Sequence, residues 1–73
     1  MFDEFKYEVI IYWSNDDQTF VADVPELPGC MAHGLNQAAA LRSAQEAIHL
    51  WIDTATEFGD PIPAPKGRRL VFA

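Results

Sequence analysis

The stretch between Asn36 and Gly59 limits this chain to few architectures. It is an unbroken run of helix formers, QAAALRSAQEAIHLWIDTATEF, with no glycine or proline inside it. Asn36 is a good N-cap residue and Gly59 is the residue type expected just past a helix end. Pro61, Pro63 and Pro65 then forbid continuation. On a helical wheel Leu41, Ala44, Ile48, Trp51, Ile52 and Ala55 fall on one face, which has to be buried. Trp51 is expected to contribute most to that packing, because it removes the largest apolar area from water.

The layer that receives this face must come from the first half of the chain. In FKYEVIIYW the odd positions Phe5, Tyr7, Val9, Ile11 and Trp13 are all apolar, a period-2 pattern that predicts a strand. Lys6 and Glu8 open the other face, and Ile10 and Tyr12 then make it apolar too. Ser14-Asn15-Asp16-Asp17-Gln18 is a turn cluster, and Thr19 to Val24 reads as the returning strand of a hairpin. Pro25 and Pro28 cannot continue that strand, so a bend follows and Cys30 to Leu35 forms a third. Ala32 and Gly34 are small enough to let the helix approach closely. The expected architecture is α+β: a three-stranded antiparallel sheet in β-β-β-α order with one long helix on one face. A short fourth strand over Arg69, Leu70, Val71 and Phe72 is a further expectation.

With 73 residues the chain is expected to form one domain, with a core over about residues 5–60 and a proline-rich, basic tail over 61–73. A core of this size seldom supplies more than about 3–5 kcal/mol. One cysteine excludes an internal disulfide, and one helix covers one sheet face. Ile10, Tyr12 and Val21 therefore call for cover from a second subunit, and a homo-dimer or tetramer is expected. The acidic start and the absence of any apolar run near ~20 residues argue against a signal peptide or membrane span, and a soluble cytoplasmic protein is expected. The net charge of −6 weighs against nucleic acid as the direct partner and is compatible with a basic protein. Lys66, Arg68 and Arg69 hold three of the five positive charges, too short a patch to claim nucleic-acid binding, and pairing with the acidic body of the same or a neighbouring subunit is an equal expectation.

Candidate chemistry concentrates in DVPELPGCMAHG, which holds the only cysteine and one of two histidines. On a strand, the spacing of Cys30 and His33 puts their side chains on opposite faces, so neither a nucleophile–base pair nor a metal site is expected. No cofactor is expected either. Asp16 and Asp17 sit in a turn, where Asp serves backbone hydrogen bonding, and form an exposed negative tip. Glu46, Asp53 and Glu57 share a helix stripe nearly opposite the apolar face, with Leu50 in its middle. An apolar side chain ringed by one sign of charge suits a basic protein surface. Asp16, Asp17, Glu46, Leu50, Asp53 and Glu57 are thus the candidate partner-binding residues.

Nearly the whole chain, from about Tyr7 to Pro65, resembles the HicB-like antitoxin family. The most specific part is the P-x-L-P-G-C segment of Pro25, Leu27, Pro28, Gly29 and Cys30, followed by a small residue and Gly34. The helix around Ala44 and Ile48 and the ending Gly59-Asp60-Pro61-Ile62-Pro63 support it. The resemblance implies a partial ribonuclease-H-like unit that binds a small basic HicA-like toxin. Such toxins have a double-stranded-RNA-binding fold and cleave messenger RNA, and the antitoxin masks the toxin's active surface. Many full-length members add a DNA-binding domain; the residues after the helix are too few for one, so this chain alone is not expected to bind DNA.

Two other readings stay open. One is residual metal-dependent ribonuclease activity through Glu8, Asp23 or the turn carboxylates. The other is a solitary structural or regulatory oligomer without a toxin.

Overall fold

The computed structural model describes residues 6–65. Three strands, β1 (Ile10–Ser14), β2 (Thr19–Asp23) and β3 (Met31–Gly34), precede the helix α1 (Gln37–Phe58). The strands form one antiparallel sheet in the order β1-β2-β3, so the expected α+β arrangement holds. Phe5 and the expected fourth strand over 69–72 lie outside the described residues.

β1 starts later than the alternating pattern, at Ile10, which pairs with Asp23. The reason lies in the partner strand. Continuing the ladder would place Glu8 opposite Pro25, which has no N–H to give. The Val24 N–H continues the β2–β3 register by donating to the Cys30 carbonyl at 3.0 Å, and the Glu8 N–H donates to the Glu26 carboxylate at 2.9 Å. Tyr7 still enters the core, and its hydroxyl donates to the Pro63 carbonyl.

The helix ends are capped by the residues expected. The Asn36 side chain accepts from the Ala39 N–H at 2.7 Å. Gly59 adopts a left-handed φ of 72°, with its N–H on the Thr56 carbonyl and the Asp60 N–H on that of Ala55. That pair of bonds satisfies carbonyls the helix leaves open.

Cross-strand register decides which side chains meet the helix. Ile11, Ala22 and Ala32 form one row and Trp13, Phe20 and Gly34 the next, both on the face toward α1. The helix does not sit centrally on this face: it packs most on β3, less on β2 and least on β1. Small residues explain the offset. A Cβ on Gly34 would lie 2.2 Å from the Ala40 nitrogen, so only glycine permits the approach. Ala32, Ala40 and Ala44 are buried along the same contact.

The offset corrects two expectations. Trp13, at the β1 side, is 47% exposed and packs edge-to-face on Phe20, with ring centroids 5.2 Å apart. Leu41 is also exposed, although the wheel puts it on the apolar face. Among helix residues Ile48 is fully buried, whereas Trp51 is only partly buried at the edge of the core. Among the described residues no helix covers the other sheet face. Ile10, Tyr12 and Met31 are exposed there, but Val21, in register between Tyr12 and His33, is already buried within the chain.

Candidate functional site

The proline-glycine segment is a folded plug. Within it the Leu27 N–H donates to the Val24 carbonyl at 3.1 Å and the Cys30 N–H to the Leu27 carbonyl at 3.0 Å. These bonds turn the chain so that Leu27 is fully buried, while Gly29 takes the positive φ of 78° that the bend requires. Pro25 and Pro28 remain exposed on its outer side. Cys30 is buried in the core cluster and His33 is exposed on the uncovered face, so the two side chains are not brought together. Burial, with the Asp23 charge adding to it, pushes the Cys30 thiol up, which keeps it protonated and unreactive at neutral pH.

The hairpin tip behaves as a turn. Asp17 accepts from the Ser14 hydroxyl at 3.1 Å, and Gln18, at a φ of 54°, donates its side-chain amide to the Asn15 carbonyl at 2.7 Å. Asp16 and Asp17 are exposed there, beside the end of the sheet where Gly34 meets the first turn of α1. Glu46, Asp53 and Glu57 occupy the middle and far end of the 22-residue helix. The tip and the stripe are therefore two separate acidic regions. Lys66, Arg68 and Arg69 lie outside the described residues.

Along the stripe, Glu46, Leu50, Asp53 and Glu57 are all exposed, and Leu50 is 66% exposed. His49 Nε2 lies 3.4 Å from the Asp53 carboxylate, four residues on.

Next to the stripe is a feature the sequence did not announce: an open groove of ≈ 630 Å³. One side is the Pro28–Met31 bend, another is the Ala47, Leu50, Trp51 and Thr54 flank of α1, and Asp60, Pro61 and Pro63 close the end. At about 100° per residue, Ala47, Trp51 and Thr54 fall between the core row and the acidic stripe, with Leu50 at the join. The Trp51 indole N–H donates to the Pro28 carbonyl at 3.0 Å, tying helix to bend. Ile62 packs against the core and anchors the closing segment. Among the described residues no lysine or arginine lines the groove, and Asp60 is the one charged lining residue.

Among the described residues no group of three or more His, Cys, Asp or Glu side chains is placed to hold a metal ion. No helix among them is long and apolar enough to cross a membrane.

A sheet of three short strands, a plugged proline-glycine bend and one capped helix, with acids on the outer helix surface, define a small domain of the α+β class. Over residues 7–69 the chain matches the family described as HicB_like antitoxin of bacterial toxin-antitoxin system. The chain belongs to this family. It is also 38% identical over 58 residues to UPF0150 protein Ta0767 of Thermoplasma acidophilum, covering 80% of this chain and 83% of that protein. No solved structure matches it.

Proposed function

We propose that this chain is a non-catalytic antitoxin that binds and neutralises a small basic HicA-like toxin that cleaves messenger RNA. The observation that carries the reading is the grouping of Glu46, Asp53 and Glu57 about the exposed Leu50 on one rigid helix flank. A helix holds these side chains in fixed relation, and an apolar anchor among like charges suits a cationic protein surface. The family match and the net charge of −6 support it. Asp16 and Asp17 form a second acidic point. A toxin touching both would have to reach along much of the ~33 Å length of the helix. A partner that cleaves messenger RNA would act in the cytoplasm, and a cytoplasmic antitoxin is part of this reading.

The arrangement of carboxylates supports binding over catalysis. A metal-dependent nuclease of the ribonuclease-H type needs several carboxylates converging on metal ions about 3.5–4 Å apart. Asp23 ends β2 while Asp17 sits in the turn before its other end, and the strand between Thr19 and Asp23 alone spans roughly 13 Å. The β-β-β-α order is compatible with a partial ribonuclease-H-like unit. The uncovered sheet face, with Ile10, Tyr12 and Met31 exposed, is the proposed surface of self-association into a dimer or tetramer.

Co-expression with the small basic product of the adjacent gene tests the reading. The two proteins should co-purify as a complex that disperses in high salt. Absence of such a gene, or of any complex with its product, overturns the antitoxin reading in favour of a solitary oligomer.

A further inference from the structure

We propose that the groove beside the acidic stripe is the socket for the toxin. It would receive one apolar side chain of a toxin segment that carries lysine or arginine next to that side chain. This rests on the antitoxin reading and goes beyond it by fixing the flank of the helix that is used and the chemistry of the segment that fills it.

Three observations converge. First, the groove holds ≈ 630 Å³, room for a large side chain and its neighbours, and apolar groups such as Trp51 and Leu50 line it. Second, it is preformed: the indole bond to the Pro28 carbonyl holds the helix against the bend, so little ordering is needed on binding. Third, charge is arranged on one side of it. Leu50 stands between the groove and Glu46, Asp53 and Glu57, and Asp60 lies at the end of the groove, with no lysine or arginine among the described residues that line it. An apolar ligand alone would leave these carboxylates unused. The body of a second copy, within a chain of net charge −6, would bring like charges together. A cationic segment with an apolar anchor meets both features.

Thr54 and Thr56 are both exposed and fall on opposite sides of the acidic stripe, Thr54 on the groove side. Thr54→Arg puts bulk and positive charge into the groove; Thr56→Arg adds the same charge outside it. Both variants are titrated against the small basic product of the adjacent gene by calorimetry, with melting temperature and sedimentation measured alongside. Thr54→Arg should weaken binding at least about tenfold, an effect typical of a central contact, while Thr56→Arg changes it no more than about threefold. Equal losses in the two variants, or no loss with Thr54→Arg, overturn the groove proposal and leave the antitoxin reading standing. No binding by the unmodified chain overturns both. If Thr54→Arg instead splits an oligomer and spares toxin binding, the groove belongs to a second copy and the proposal is wrong.

Discussion

The indole N–H of Trp51 donates to the carbonyl of Pro28 at 3.0 Å, joining the middle of the only helix among the described residues to the bend that precedes β3. The ring thereby closes the edge of the core and forms part of the groove. Trp51→Phe keeps most of the ring and loses the bond. A cost of about 0.5–1.5 kcal/mol is expected. For a domain this small that lowers the melting temperature by roughly 4–8 °C per kcal/mol, which thermal denaturation followed by circular dichroism will read.

Ile48, fully buried beneath the same helix, should matter more. Ile48→Ala removes core methyl groups and leaves a cavity, at a cost of about 2–5 kcal/mol. Urea titration of Ile48→Ala beside Trp51→Phe checks the order, and a larger loss in the tryptophan variant would contradict the packing described.

Two glycines of the same segment separate two kinds of constraint. Gly29 has open space where a Cβ would go but a φ of 78°, so Gly29→Ala should cost about 1–2 kcal/mol of backbone strain. Gly34 has ordinary φ but a backbone nitrogen 2.2 Å from the Cβ position, and no side-chain adjustment relieves that contact. Gly34→Ala must push α1 off β3 and should be the more damaging of the two in the same denaturation experiment. Equal stability of the two variants would refute the close contact.

Burial, followed by Asp23, raises the Cys30 thiol, and burial, followed by Glu26, raises the Tyr7 phenol. Both groups are neutral in the folded state and hold their protons longer than in the unfolded chain. Their contribution to stability is thus complete below the unfolded pKa values and is lost as pH rises through the folded ones. Stability should be unaffected by these groups near neutrality and decline from about pH 8.5 upward, where thiols and then phenols begin to ionise in the unfolded chain. Labelling of Cys30 by a thiol reagent at neutral pH should be slow and should accelerate on adding denaturant. Fast labelling of the native protein would place the thiol at the surface.

Much of the fold was legible because local rules set it. Asn36 and Gly59 mark the helix ends through backbone hydrogen bonding, the Ser14–Gln18 cluster marks the hairpin, and Gly34 marks a close approach. The exposure of Trp13 and Leu41 was not legible. It depends on where the helix settles across the sheet, which the small residues of β3 decide, and a wheel or an alternation pattern carries no such lateral information. The acidic stripe could be read from spacing within one helix. The groove could not, since Met31, Trp51 and Pro63 come from three separated segments that only folding brings together.

The most direct test of the account is a titration of messenger-RNA cleavage by the small basic product of the adjacent gene against this purified chain. Cleavage should fall to zero as the chain reaches stoichiometric ratio, while the chain alone, with Mg²⁺ or Mn²⁺, leaves the RNA intact. Cleavage that persists in a large excess of the chain, or cleavage by the chain itself that disappears when its carboxylates are substituted, would contradict it.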